Sequence, residues 1–210
     1  MTNRHSYHRK AVSHLQKKTY LCSMEFTQLL RQRYGLPEQE IAQLMEHAAI
    51  TKHARKEVII EQGQRDPDLC FVAQGSVRTY VMREDKCVIF SFSFEGDPAT
   101  STLGTQPGGL SRQIIETMEP TTLVRIPRTR MEELFAANAG LANWGRLMAE
   151  EQLRRHEDYF ADYAWRDKGE QYKRMLREYP QLMQRVALKD LAAYLFLTPQ
   201  SLSRIRAEVK

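Results

Sequence analysis

The sequence predicts an α+β protein: an N-terminal antiparallel β-roll, then one long helix, then a small helical C-terminal domain. Three observations carry this expectation. Between Ile50 and Ile126, short β-rich runs alternate with Gly, Pro and Asp turn residues, the texture of an antiparallel sandwich or roll. From Leu141 to Trp165, apolar residues recur near 3- and 4-residue steps, the period of a helix of about seven turns. The end of the chain, from Val186 to Lys210, reads as two short helices joined by a tight turn.

The bulk numbers bound the rest. The chain has 210 residues, 42% hydrophobic and 27% charged, which suits one large or two modest globular domains with a core. No run approaches the roughly 20 apolar residues of a membrane span. The basic N-terminus lacks the apolar core of a secretory signal. Leu21-Cys22 hints at a lipoprotein site, but Lys17 and Lys18 stand where the apolar run would be. Cysteines 22, 70 and 87 form no C-x-x-C pair, so neither a structural zinc site nor a four-cysteine iron–sulfur cluster is expected. An odd cysteine count without a signal suits a reducing cytoplasm. The expectation is a cytoplasmic protein with no metal and no membrane partner.

Charge is unevenly placed within a net +5: residues 1–23 hold five Lys/Arg and no acid, and residues 166–210 carry another +5. The middle is acidic by the same amount. A basic end on an acidic body points to a polyanion partner for that end, or to a solvated basic face.

Taken in order, residues 1–23 have no sustained periodicity and read as a disordered basic arm, or as sequence upstream of a start at Met24. Glu25–Tyr34 is a short helix broken at Gly35-Leu36-Pro37, and a second runs from Glu38 to His47 with Ile41, Leu44 and Met45 on one face. Strands are expected at Glu57–Glu61, Leu69–Ala73, Val77–Met82 and Cys87–Phe94, with turns at Gly63, Asp66-Pro67, Gln74-Gly75, Glu84-Asp85 and Gly96-Asp97-Pro98. Phe90, Phe92 and Phe94 alternate with Ile89, Ser91 and Ser93, as on a half-buried strand. A Gly/Thr/Pro-rich loop spans Pro98 to Gly109, followed by strands Gln113–Met118 and Thr122–Ile126. Arg130–Ala137 is a short helix. On the long helix, Leu141, Trp144, Met148, Tyr159 and Tyr163 form an apolar stripe with polar interruptions. Such a stripe is either a dimer seam or a face packed on its own domain. A further helix passes through Tyr172, Met175, Leu176 and Tyr179 to a stop at Pro180.

In the last two helices, Leu191, Ala192 and Leu195 are the buried positions of the first. Thr198 can cap the second, with Pro199 at its first position, where a missing N–H is harmless. Leu202 and Ile205 face inward and leave Gln200, Ser201, Ser203 and Arg204 outward. A second helix that is polar and basic outside is the helix-turn-helix plan, whose N-terminal side chains reach base edges in the major groove. The competing reading is a plain helical hairpin ending a domain.

These residues resemble the cyclic AMP receptor protein / fumarate-nitrate regulator (CRP/FNR) superfamily of transcription regulators, over about Glu25 to Ala207. Gly63, Phe71-Val72-Ala73-Gln74-Gly75-Ser76-Val77 and Gly96-Asp97 are similar to the glycine-punctuated core of a cyclic-nucleotide-binding β-roll. Leu191-Ala192-Ala193-Tyr194-Leu195, Leu197-Thr198 and Ser203-Arg204 resemble the family's helix-turn-helix. The resemblance implies a roll over 24–140, a dimerisation helix over 141–165 and a DNA-binding domain over 166–210 with little or no wing. It implies a homodimer acting on double-stranded DNA, with RNA polymerase as a further partner. The DNA-binding candidates are Thr198, Gln200, Ser201, Ser203 and Arg204; the dimer candidates are Leu141, Trp144, Met148 and Tyr159. The family's ribose-gripping Gly-Glu pair falls on Thr100-Ser101 and its phosphate-binding Arg-Ser/Thr pair near Ser111-Arg112. Ser101 and Arg112 are therefore the effector candidates, and with no acid at Ser101 cyclic AMP is not expected to bind. The roll is expected either to hold another, unidentified small-molecule effector or to be purely structural. Phe196 stands at the turn position usually held by Gly, and Pro199 replaces the first base reader. The alternative is a ligand-binding or interaction module that does not bind DNA. An enzyme is not expected: histidines 5, 8, 14, 47, 53 and 156 form no H-E-x-x-H pattern, and no G-x-S-x-G, phosphate-binding loop or dinucleotide fingerprint occurs.

Overall fold

The computed structural model describes residues 24–84, 86–105, 108–165 and 167–209. The expected basic arm, 1–23, lies outside the described residues. In chain order the elements are α1 (24–34), α2 (Glu38–Glu46), β1 (Ala49–His53), β2 (Val58–Ile60), β3 (Asp68–Gln74), β4 (Val77–Arg83) and β5 (Lys86–Ser93). They continue with α3 (Thr102–Thr105), β6 (Ile114–Thr117), β7 (Thr121–Pro127), α4 (Arg128–Ala137), α5 (Ala139–Trp165), α6 (Lys168–Glu178), α7 (Pro180–Arg185), α8 (Leu188–Tyr194) and α9 (Pro199–Glu208). The chain falls into two compact units. One holds the residues up to Val77 together with Phe92–Trp144; the other holds Arg78–Ser91 and Gly145–Lys210.

The first unit is the roll. One sheet has the order β1-β7-β3, all antiparallel, with Ile50 and Phe71 both opposite Val124. β2 pairs antiparallel with β6. Ile60, Cys70, Val72, Val77, Ala99, Ile115 and Leu123 form one buried apolar cluster between these layers, each reaching inward because strand side chains alternate. Burial pushes the Cys70 thiol up to about 12, so it acts as an apolar packing group here. Segment 96–100 lies along β3: Val72 N–H donates to Asp97 O at 3.0 Å, and Ala99 N–H donates to Cys70 O at 2.7 Å. Gly75 ends β3 at φ +97, and a Cβ there would meet Thr121 and Pro120 atoms at 2.7–2.8 Å, so only glycine fits.

Helices seal the roll. Phe26 and Leu30 of α1 are buried, and Phe26, Phe71 and Trp144 stack in sequence with ring centroids 5.9 and 5.6 Å apart. Arg33 of α1 pairs with the buried Asp97 at 3.0 Å, which ties the helix to the Gly96-Asp97 turn.

The second unit contains the β4–β5 hairpin, most of α5 and all of α6–α9. Tyr172, Met175, Leu182, Val186, Leu191, Ala192, Leu195 and Leu202 are its buried apolar residues. Asp167 caps α6, accepting from Glu170 N–H at 2.9 Å.

Three elements differ from the sequence expectation. β1 was not distinguished, because Ala49–His53 is an edge strand only partly buried and lacks a clean apolar alternation. α3 is a single turn inside the expected loop. Pro180 does not merely stop a helix: it is the first residue of α7, where its absent N–H leaves no bond unmade.

Candidate nucleic-acid interface and sensor site

α8 and α9 build the expected helix-turn-helix. Leu191, Ala192 and Leu195 are buried, and Leu202 anchors α9 from behind at 0% exposure. The turn passes through Phe196 at φ +56. Leu197 N–H donates back to Ala192 O at 2.8 Å and Phe196 N–H to Ala193 O at 3.3 Å, closing the end of α8. Thr198 Oγ1 accepts from Ser201 N–H at 3.1 Å and lies 2.9 Å from Ser201 Oγ. The hydroxyls of Thr198 and Ser201 are therefore engaged in capping α9. Gln200, Ser203 and Arg204 are exposed, and their 3- and 4-residue spacing puts them on one outward face. No ion pair holds Arg204 among the described residues.

The helix-turn-helix is fastened to α5. Tyr159 Oη donates to the Tyr194 carbonyl at 3.0 Å, and the two rings lie 4.8 Å apart. Burial pushes the Tyr159 phenol up to about 12 and raises that of Tyr194, so both stay neutral. Arg174 of α6, only 14% exposed, meets Asp162 at 2.8 Å, Glu178 at 2.7 Å and Asp158 at 3.5 Å. Its hydrogen bond to Glu178 comes first among the causes holding its charge more firmly than usual. Tyr159, Tyr179 and Tyr194 border a small cleft, open to solvent, beside this joint. On another side, Arg78 of the hairpin pairs with Asp190 in the first turn of α8 at 2.6 Å while lying 4.9 Å over the Tyr80 ring. Arg78, Asp190 and Arg174 escaped the sequence reading, since each finds its partner only through the fold.

The dimer candidates differ in their exposure within the single chain. Leu141 and Trp144 are 0% and 1% exposed within their own chain. Trp144 is ringed by Phe71, Tyr34 and Phe135 at 5.6–6.5 Å. Tyr159 is tied to the Tyr194 carbonyl and Met148 is half-buried. The helix has two apolar faces, and the stripe expected from sequence is largely the inner one. The outward face carries Leu153, Phe160 and Tyr163 at 59%, 68% and 53% exposure.

In the roll, the two effector candidates are not brought together by any contact among the described residues. Arg112 is exposed. Ser101 is buried, with its N–H donating to Asp66 Oδ2 at 2.8 Å and its Oγ accepting from Gly104 N–H at 3.2 Å. Thr100 Oγ1 is bound by Cys70 N–H at 2.7 Å. Asp66, missed in sequence because its Asp-Pro reads as a turn, is fully buried, and its Oδ1 has no hydrogen-bond partner. Burial, the largest cause, raises its carboxyl to about 6 against the amide of Ser101 and the charge of Arg125. A Cβ on Gly104 would come within 3.0 Å of Asp66, so the clasp closes tightly. Among the described residues, no group of His, Cys, Asp or Glu has a metal-binding arrangement, and no helix is long and apolar enough to cross a membrane.

Comparison with known proteins agrees with this architecture. The family model described as the cyclic nucleotide-binding domain matches residues 50–138. No curated protein matches the chain by sequence. Among solved structures, FixK2 from Bradyrhizobium japonicum is similar with a TM-score of 0.65 and 21% identity, covering 77% of this chain and 84% of its own. CLP from Xanthomonas campestris, described as a c-di-GMP-responsive global regulator, has a TM-score of 0.69 and 15% identity over 82% and 91%. CooA from Carboxydothermus hydrogenoformans has 0.65 and 15% over 78% and 77%. Residues 50–138 are thus similar to the cyclic nucleotide-binding domain, and the chain shares the fold of these solved structures.

Proposed function

We propose that this chain is a homodimeric, sequence-specific DNA-binding transcription regulator of the CRP/FNR type, not an enzyme, acting in the cytoplasm. Its roll spans 24–140, its dimer helix 141–165 and its reading domain 166–210. The carrying observation is α9: a helix capped by Thr198, anchored by Leu202, and presenting Gln200, Ser203 and Arg204 outward. Arg204 suits guanine and Gln200 suits adenine in the major groove. Lys189, exposed at the start of α8, suits a phosphate. The partner copy packs on the outward face of α5, where Ala149, Leu153, His156, Phe160 and Tyr163 are exposed. They follow one another in 4-3-4-3 steps, the coiled-coil repeat.

The roll does not take cyclic AMP in this reading. The residues at the ribose-gripping positions, Thr100 and Ser101, have their hydrogen bonds committed to Cys70, Asp66 and Gly104. Two measurements test the proposal. Binding of genomic fragments, followed by anisotropy across salt, should select sites with two half-sites about one helical turn apart. Equal affinity for all sequences at every salt concentration would refute specific reading. Calorimetry with cyclic AMP, cyclic GMP and cyclic di-GMP should give no heat with the first two; micromolar cyclic AMP binding would refute the sensor reading.

A further inference from the structure

The turn of the helix-turn-helix holds an unexplained side chain. Phe196 sits at φ +56, a left-handed conformation that glycine and asparagine adopt more easily than an aromatic residue. Its ring gains little from burial in return, being 47% exposed. It lies 5.1 Å from the ring of Tyr163, itself 53% exposed. Lys168 Nζ stands 4.9 Å from the Tyr163 centroid and 5.9 Å from that of Phe196, while donating to Gln171 at 3.1 Å. The cation is thus spent on the rings and on an amide. A large apolar group kept in a strained, wet position signals a surface meant to be covered.

We propose that Phe196 and Tyr163 are the end of the surface on which a second copy of this chain docks, so that the dimer interface reaches the turn of the DNA reader itself. This rests on the dimer reading above. Continuity decides the occupant: Tyr163 is the last step of the exposed 4-3-4-3 run through Leu153 and Phe160, and Phe196 extends that run sideways from α5 onto the reader. A parallel two-fold pairing of α5 brings each position opposite its own copy, so the aromatic pair faces its own equivalent across the axis. DNA is the less fitting occupant, because Lys168, the cation at the cluster among the described residues, is already engaged.

The test measures the dimer constant by sedimentation equilibrium for wild type, Phe196→Asn and Phe160→Asp. Asparagine accepts the left-handed turn, so the monomer keeps its melting temperature. Phe196→Asn should weaken dimerisation about tenfold or more, as truncated interface aromatics do. In wild type, amide exchange over 195–197 should slow as concentration rises through the dimer constant. If Phe160→Asp yields monomers while Phe196→Asn dimerises normally with concentration-independent exchange at the turn, this proposal falls and the dimer reading stands. If Phe196→Asn dimerises normally but loses affinity for every DNA equally, the ring serves DNA and the proposal is overturned. A wild type that stays monomeric, or a Phe160→Asp that stays dimeric, removes the dimer reading beneath it.

Discussion

Asp66→Asn should change how stability depends on pH. In the folded chain Asp66 is fully buried, one carboxylate oxygen on the Ser101 amide and the other without a partner. Its pKa rises from 3.8 to about 6. The folded state therefore holds this proton more tightly than the unfolded one. Its stabilising effect is complete below 3.8 and lost as pH rises through 6. A gap of that size corresponds to roughly 3 kcal/mol, of which about 2 falls between pH 4.5 and 7.5. Asparagine keeps an acceptor for Ser101 and cannot ionise. Its amide leaves a buried donor unpaired, a penalty of about 1–3 kcal/mol that does not vary with pH. The informative quantity is the change in the difference between variant and wild type. Urea unfolding at pH 4.5, 6 and 7.5 should show that difference moving about 2 kcal/mol in favour of the variant as pH rises. Parallel curves would refute the argument, since they would mean Asp66 titrates alike in folded and unfolded chains.

Four further outcomes follow from the same geometry. Arg204→Ala should lose about 1–3 kcal/mol on a specific site and relax preference at one position; equal losses on random DNA would make it a phosphate contact. Leu153→Glu should give monomers by sedimentation that keep native helical circular dichroism and melt at a temperature independent of concentration. Trp144→Ala should instead destabilise the fold by about 3–5 kcal/mol in chemical denaturation, because its ring fills the core of the first unit. Thr198→Ala should remove about 1 kcal/mol from the reading domain, detected as faster amide exchange at the start of α9.

The features legible in sequence were those set by local chemistry. Gly75 and the Thr198-Pro199 start each answer to backbone rules acting within a few residues, and both stand where expected. The α5 helix was legible, but its faces were not. Trp144 and Phe160 are both apolar, and only the position of Phe71 decides which is the inner one. Asp66 was hidden for a related reason. An Asp-Pro pair reads as an exposed turn until α3 folds over it and removes the water. Ser101 was found as a position, yet its hydrogen bonds commit it to the clasp.

The joint between α5 and the reader sets a length scale for the target. Leu153 and Phe160 lie on one side of the helix, while Asp158 and Asp162, which hold Arg174 of α6, occupy the opposite side of the same turns. In the proposed dimer each copy's α5 is a plate, with its twin against one surface and its own α6 held to the other by Arg174, while the turn at Phe196 reaches round to the twin's side. The gap between the two α6 helices is then governed by the girth of two α5 helices, about 10 Å each, and little by the residues that connect α5 to α6. An operator with half-sites moved apart by one base pair cannot be followed by lengthening that connection. It demands bulkier or slimmer side chains on the plate itself.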